Sequence, residues 1–248
     1  MRTPRVYLPI ELNPGARIEL DEYSAHHVRA VLRLKKGNSL RIFNGLGSEF
    51  NAVLATIDKR SVRVDIGEAK PCYTESELPI HFGLAISRGE RMDFAIRKSV
   101  ELGVSDITPL ITERCVIKLD ESRSDQKQSH WQRIAISASE QSGRARVPEI
   151  RRPIPFDSWI DSNDGLKVIL DPLSSRTLND LRLAPRSVSL LSGPEGGFST
   201  LETALATEAG FVGVNIGPRI LRCETAALAG MALIQAIWGD LGLQGENR

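Results

Sequence analysis

Two hydrophobic rhythms divide the sequence. Over the first 70 residues, short runs alternate apolar and polar positions or carry β-branched residues: SLRIFNG (39–45), FNAVLATI (50–57) and VRVDI (62–66). Turn-prone GLGS and DKRS separate them, which is the punctuation of strands joined by tight connections. One short helix fits residues 24–33, with Ser24 as its N-cap. This profile predicts a small, mostly β barrel over residues 1–70. The polar segment AKPCYTESELP (69–79) ends in proline and reads as a linker.

The second rhythm fills residues 71–248. PIHFGLAIS (79–87) has a strand pattern, and a helix follows over about 90–102, with Met92, Ile96 and Val100 on one stripe and Gly103 closing its end. ITPLI (107–111) is a strand, and a helix is expected over 126–142 with Trp131, Ile134, Ala138 and Gln141 on one face. KVILD (167–171), SVSLLSG (187–193) and FVGVNIG (211–217) are short apolar runs without polar alternation, as in strands covered on both faces. Strands alternating with helices predict an α/β domain with a mostly parallel sheet. The last apolar stretch, TAALAGMALIQAIW (225–238), has only Thr225 and Gln235 as polar members. A helix apolar on all faces must be buried all round, either in a subunit interface or as a central core helix. Leu228, Met231, Leu233, Ile237 and Trp238 are the expected apolar contacts, divided between a homodimer interface and the chain's own core.

Composition narrows the class. A chain of 248 residues with 41% hydrophobic and 25% charged residues has the balance of an ordinary soluble globular protein. No apolar run reaches the length of a membrane span, and MRTPRVYLPIELNPG lacks the apolar centre of a secretory signal, so a cytoplasmic protein with no membrane partner is expected. The three cysteines, Cys72, Cys115 and Cys223, lie far apart, and no metal-ligand spacing joins them to the four histidines, so no metal is expected. The formal charge of +1 conceals an uneven distribution. Residues 1–70 hold 12 Lys/Arg against 8 Asp/Glu, while the rest hold 20 against 23. A basic first quarter is suited to meeting a polyanion.

The chemistry concentrates in LSGPEGGFSTLE (191–202). Its glycines directly follow a strand, and Ser199 with Glu202 matches a helix-opening capping box. Glycines therefore stand outside the carboxyl end of a sheet strand, where open α/β sheets bind ligands. Gly193, Gly196 and Gly197 allow a ligand to lie against bare backbone. Two other strands end comparably, at Asp171-Pro172 and Gly217-Pro218. Better-known loop chemistries fail on detail. No lysine follows the glycines as a phosphate-binding P-loop needs, the spacing is wrong for a dinucleotide fingerprint, and no serine sits in a nucleophile elbow. Glu195 inside the loop would repel a triphosphate.

LSGPEGGFSTLE followed by IGPRILRCETAA resembles the signature of the RsmE family, the 16S rRNA (uracil-1498-N3)-methyltransferases of the SPOUT superfamily. Further matches follow in order: HHVRAVLRLKKGNSLRIFNGLGSEF (26–50), SRGERMDFAIRKSVELGVSDITPLITERCV (87–116) and WQRIAISASEQSGRARVPEI (131–150). The resemblance implies a PUA-like β barrel over 1–70, then a SPOUT domain over 71–248 with a deep trefoil knot at about 165–230. It also implies a homodimer and S-adenosylmethionine as cofactor. The implied cofactor residues are Leu170, then Gly193, Pro194, Glu195, Gly196 and Gly197 of the glycine loop, then Ile216, Gly217, Leu221 and Arg222, with Thr225 and Ala226 opening the last helix. On that reading Gly196→Val fills the adenosine space. A related knotted methyltransferase acting on another RNA, and a non-catalytic RNA-binding protein, are the alternatives.

The implied reaction constrains the residues further. Uracil N3 carries a proton, so a group must accept it or offset the charge that spreads to the uracil oxygens. N3 also lies on the pairing edge, so the base must be unpaired or splayed out. Arg222 is the first choice for the anion-stabilising group and Glu195 for orienting the ligand or taking the proton. Glu224 fits a helix start, and Cys223 is not needed as a nucleophile because attack through N3 needs no base adduct. His26, His27, Arg29, Arg33, Lys35 and Lys36 form a basic cluster suited to tracking RNA phosphates within the small ribosomal subunit. Arg88, Arg91 and Arg114, near strand ends, and the basic pair Arg144 and Arg146 are further candidate RNA contacts.

Overall fold

A computed structural model of the chain describes residues 3–58, 60–115, 121–161, 164–181 and 184–242. The chain divides into two compact units, one of Met1–Glu75 and Ile136–Val147, the other of Ser76–Ala135 and Pro148–Arg248. This differs from a single cut at residue 70: the stretch 136–147, expected with the second domain, groups with the first.

The first unit runs β1 (Arg5–Tyr7), β2 (Arg17–Glu19), α1 (Glu22–His26), β3 (Ser39–Phe43), β4 (Ser48–Ile57) and β5 (Val62–Pro71). The strands form one sheet in the order β1-β3-β4-β5-β2, parallel between β1 and β3 and antiparallel elsewhere. The long β4–β5 pair carries two register shifts, which bend a ribbon and increase its twist. Alternation along β4 and β5 turns Phe50, Ala52, Leu54, Val62, Val64 and Ile66 inward against Val6, Val28, Leu40 and Ile42. β5 extends through Pro71, so the polar stretch from 69 begins as strand rather than linker.

The short helix differs from expectation at both ends. Its N-cap is Asp21, whose carboxylate accepts from the Ser24 amide at 2.8 Å and the Ser24 hydroxyl at 3.0 Å. Ser24 is itself buried in the helix. A carboxylate at this position also satisfies the positive end of the helix dipole, which a serine does not. The helix continues as a single π turn over His27–Val31 and stops at Arg33, whose φ of 52° is left-handed.

The second unit contains β6 (Ile80–Ala85), α2 (Glu90–Glu101), β7 (Asp106–Ile111), α3 (Glu121–Ser142), β8 (Glu149–Ile150), β9 (Ile154–Pro155), α4 (Phe156–Ile160), β10 (Leu166–Leu170), β11 (Val188–Ser192), α5 (Thr200–Glu208), β12 (Val212–Val214) and α6 (Cys223–Trp238). From Ile136 onward, α3 belongs to the first unit. There the buried Arg5 donates to the carbonyls of Ser139 at 2.7 Å and Arg144 at 2.8 Å, pairs with Glu49 at 3.1 Å and lies over the Phe43 ring. Carbonyls near a helix C-terminus lack intrahelical partners, and this guanidinium supplies one.

The seven strands of the second unit are all paired in parallel, in the order β12-β10-β11-β6-β7-β8, with β9 beside β7. β11 is buried along its whole length and β7 at every position but the last, as the unbroken apolar runs predict. In α2, Met92, Ala95, Ile96, Ser99 and Val100 make the buried stripe. In α3 the buried face is Trp131, Ala135, Ala138 and Ser139; Gln141, expected on it, is exposed. The helix begins five residues earlier than expected, which shifts nothing in this phase. Gln141 lies ten residues beyond Trp131, close to a quarter turn short of the Trp131 direction.

The last helix shows how its apolar residues divide. It is not buried all round in the single chain: Ala227, Gly230, Met231, Ile234 and Gln235 are buried, while Leu233 and Ile237 are each 40% exposed. Of the five residues expected to divide between a subunit contact and the chain's own core, Met231 lies in the core. The buried Gln235 is satisfied on every side. Its amide donates to the Leu102 carbonyl at 3.0 Å, and its oxygen accepts from the Ser76 hydroxyl at 2.8 Å. A polar side chain on an apolar helix thus ties α6 to the end of α2 and the entry of β6, which is why its burial is tolerated.

Candidate functional site

Strand order locates the site. The chain leaves β11 on one side of β10, crosses through α5 and returns as β12 on the other side of β10. The direction of winding reverses there, and such a reversal opens a crevice at the carboxyl ends of the strands. The loops after β10, β11 and β12 all emerge at that edge, because the three strands are parallel and adjacent. The sequence-predicted convergence of three Gly- or Pro-marked strand ends is therefore present.

Each loop has a local reason for its shape. After β11, Gly197 donates to the Pro194 carbonyl at 2.9 Å, closing a turn around Glu195 and Gly196. Gly197 takes φ of 67°, and a Cβ there would meet nothing within 4 Å. A Cβ on Gly193 would sit 3.2 Å from the Phe198 ring, so this glycine lets Phe198 fold over the strand end. Ser199 and Glu202 form the expected capping box, opening α5. Glu202 is buried and also accepts from the Glu113 amide at 2.8 Å.

The loops after β10 and β12 are tied to each other. Asn215 donates from its side-chain amide to the Pro172 carbonyl at 3.1 Å, and its oxygen accepts from the Gly217 amide at 2.7 Å. Ser174 donates to the Gly213 carbonyl at 2.7 Å. Gly217 has φ of 137° with open space at its Cβ position. Asn215 and Ser174 were not among the candidate residues. The signal for the first was an asparagine two residues before a glycine, the pattern of an Asx turn.

Charged groups from three segments gather at this edge. Arg91, at the start of α2, pairs with Glu195 at 3.0 Å. Cys223 donates to Glu224 at 3.2 Å. Burial, the Glu224 hydrogen bond and the charges of Glu195 and Glu224 push the Cys223 thiol up to about 12, so it stays protonated and un-nucleophilic. Burial opposes ionisation of Glu224, but its own amide, the Cys223 thiol and the charges of Arg91 and Arg222 together hold its carboxyl below the usual value. Arg222 is the N-cap residue of α6 and is exposed; its carbonyl accepts from the Ala226 amide at 2.8 Å, while its side chain makes no hydrogen bond or ion pair among the described residues. Its guanidinium is available for an incoming anion.

The other candidates fall into three groups. Gly193, Pro194, Glu195, Gly196 and Gly197 stand together in one loop; Ile216, Gly217 and Leu221 form the second; Thr225 and Ala226 occupy the first turn of α6. Leu170, which ends β10, is half-buried and approaches Gly230 of α6, where a Cβ would sit 2.9 Å from it. Gly196 lies against a neighbouring side chain. A Cβ there would point at the stem of Arg114, 3.4 Å away, not into open space.

The candidate RNA contacts divide differently. Arg33, Lys35 and Arg88 are exposed, and Arg29 is half-buried with one nitrogen donating to the Asp58 carbonyl at 2.8 Å. His27 is half-buried, 3.8 Å from Glu140, and burial together with the neighbouring His26 lowers its pKa, which disfavours a cationic phosphate contact. Arg144 is a correction: it is buried and pairs with Glu75 at 2.8 Å, while Glu75 also accepts from the Ala145 and Arg146 amides. It shapes its loop and presents no charge to solvent. Arg91 and Arg114 are engaged with the glycine loop. Among the described residues no cluster of side chains suited to a metal occurs, and no helix is long and apolar enough to cross a membrane.

Comparison with known proteins identifies the class. Residues 74–235 match an RNA methyltransferase domain and residues 20–67 an RNA methyltransferase PUA domain. The protein is an RNA methyltransferase with an N-terminal PUA domain. The chain is 38% identical over 242 residues to the ribosomal RNA small subunit methyltransferase E of Buchnera aphidicola, covering 97% of this chain and 98% of the relative. A methyltransferase from Legionella pneumophila, solved in complex with the cofactor SAM, shares 44% identity and superposes with a TM-score of 0.94 over 97% of this chain and 100% of the other. The ribosomal RNA small subunit methyltransferase E of Neisseria gonorrhoeae, solved bound to S-adenosyl methionine, gives 38% identity and a TM-score of 0.91 over 96% and 99%. The chain belongs to the ribosomal RNA small subunit methyltransferase E family.

Proposed function

We propose that this protein binds S-adenosylmethionine in the loops after β10, β11 and β12 and methylates N3 of a uridine, position 1498, in 16S rRNA of the small ribosomal subunit. The observation that carries the proposal is the meeting of the glycine loop, the Gly217 loop and the start of α6 at one winding reversal. The residues fit that cofactor. The crevice offers bare backbone at Gly197 and Gly217, no lysine for a phosphate string, and the carboxylates of Glu195 and Glu224 toward a sulfonium. Leu173 and Ile220, 91% and 83% exposed on two of the loops, provide apolar contact for a nucleobase.

When bound, the cofactor supplies an electrophilic methyl group on its sulfonium. The residues do the rest. Backbone of the loops around 193–197 and 216–221 holds and orients the ligand. Glu195 takes the N3 proton, and the Arg222 fork offsets the charge spreading over the uracil oxygens. The basic surface around Arg33 and Lys35 tracks RNA phosphates. The winding order around β10 supports a deep trefoil knot over about 165–230, and the exposed Leu233 and Ile237 support pairing of α6 in a homodimer. The place of action is the cytoplasm, where ribosomal subunits assemble.

The test is nucleoside mass spectrometry of 16S rRNA from a strain lacking the gene. N3-methyluridine should be absent, restored by the parent and not by Arg222→Ala, whose methyl transfer in vitro should fall about 100-fold. Persistence of N3-methyluridine rejects the substrate, and loss of another methylated nucleoside assigns the enzyme to another RNA. A parent protein that shows no S-adenosylmethionine binding by calorimetry is a non-catalytic RNA-binding protein.

A further inference from the structure

The turn that follows β7 grips the glycine loop from two sides. On the buried side, one Glu202 oxygen accepts from the Glu113 amide at 2.8 Å while the other accepts from Ser199 at 2.8 Å. On the exposed side, one terminal nitrogen of Arg114 donates to the Gly196 carbonyl at 2.8 Å and to the Phe198 carbonyl at 3.3 Å. The Arg114 stem lies along Gly196, where a Cβ would stand 3.4 Å from both its Cβ and its Cδ. Arg91 adds a third hold through Glu195 at 3.0 Å. The turn is itself anchored. The Cys115 amide donates to the Thr112 carbonyl at 3.1 Å, and its thiol to the Ile86 carbonyl at 3.2 Å, beyond the end of β6.

We propose that Arg114, assisted by Arg91, is a positioning residue that holds the glycine loop ready for the cofactor. Both arginines carry the positive charge that marks an RNA contact in the sequence, and both have that charge directed onto the loop. A glycine-rich loop has unusual conformational freedom, so a ligand that meets it unrestrained binds only the fraction in the right shape. Two carbonyls and a carboxylate on cations from separate segments raise that fraction. An arginine suits the task because its planar guanidinium, less strongly hydrated than an ammonium, donates to the carbonyls while its stem rests on the flat glycine surface. Gly196 completes the device: its missing side chain is the surface on which Arg114 rests.

This inference rests on the proposed cofactor site, and the experiment separates the two. Calorimetry with S-adenosylmethionine, steady-state kinetics, RNA titration over a salt series and thermal unfolding are compared for the full-length parent, Arg114→Ala, Arg114→Lys, Gly196→Val and Arg91→Ala. Arg114→Ala should weaken cofactor binding about tenfold and raise its KM alike, with kcat at saturating cofactor near the parent's. Its RNA salt slope should be unchanged, and its Tm should stay within about 1 °C because the contacts are exposed. Gly196→Val should reproduce this pattern by pushing Arg114 aside, Arg114→Lys should recover part of the loss, and Arg91→Ala should show a smaller effect. Parental cofactor Kd and KM in Arg114→Ala, with the salt slope reduced by about one unit, overturns the proposal and returns Arg114 to the RNA surface. If the parent binds no S-adenosylmethionine, the functional reading fails while the clamp stays testable. Amide hydrogen exchange over residues 193–199 must then be faster in Arg114→Ala, and equal exchange overturns the clamp.

Discussion

The cations past the short helix of the first unit and those beside the glycine loop of the second have opposite fates. In the first, Arg33 and Lys35 extend into solvent beside the π turn that ends the short helix, while Arg144 is buried against Glu75 in the same unit. In the second, Arg91 and Arg114 look equally exposed, yet each is bonded to the glycine loop. Exposure therefore does not measure availability. A cation close to a strand end is surrounded by unpaired carbonyls, and those carbonyls compete with any external phosphate. On the short helix Arg29 likewise donates to the Asp58 carbonyl, while Arg33 and Lys35, past its end, stand exposed.

The largest effect tests the buried member of this set. Arg144→Ala should destabilise the first unit by about 3 kcal/mol, since it leaves Glu75 partly buried without its cation. Urea unfolding with a probe in that unit measures it, and a loss below about 1 kcal/mol would return Arg144 to the surface class. Next come the solvent-facing cations. Replacing Arg29, Arg33 and Lys35 together with alanine should flatten the salt slope of RNA binding by about 2 units and leave S-adenosylmethionine affinity unchanged. A slope equal to the parent's would show that the cluster is only a solvated face.

The smallest effect compares two histidines, one in each unit. Donation from the His81 ring to Asp106, at 2.5 Å, raises the His81 pKa against its burial and against Arg151. Burial and the His26 charge lower that of His27. The raised group contributes stability that is present below about pH 6.5 and lost as pH rises through its folded value. The lowered group contributes stability that is present above about pH 6.5 and lost as pH falls through its folded value. Thermal unfolding from pH 5 to 8 should show His81→Gln losing stability mainly at acid pH and His27→Gln gaining it there. Both shifts should be about 1–2 °C, because both rings are partly open to water. Equal profiles for the two variants would remove this contrast.

Element types were legible wherever local pattern and burial agree. The parallel strands read as apolar runs because both faces are covered, and the capping box at Ser199 read correctly because its partners are three residues apart. The glycine loop was legible for the same reason: its special residues are contiguous. Asp21 was missed as a cap because the serine that follows is also a good cap, and only the backbone position distinguishes them. Which apolar residues of α6 face the core and which stay exposed was not legible, because hydropathy reports what a face prefers, not whether one chain has enough surface to cover it.

By itself, the sequence determined the alternation of strands and helices, the place of the Gly- and Pro-marked loops after their strands, and the family resemblance carried by contiguous motifs. Those properties depend on neighbours within about one helical turn or one strand. Tertiary structure decided which strands lie side by side, and so where the winding reverses. It also decided that the tail of α3 joins the first unit through Arg5, and that Arg91, Arg114 and Arg144 bond inward rather than outward. Each of these pairs residues tens of positions apart, and a long side chain takes the partner that the fold brings to it.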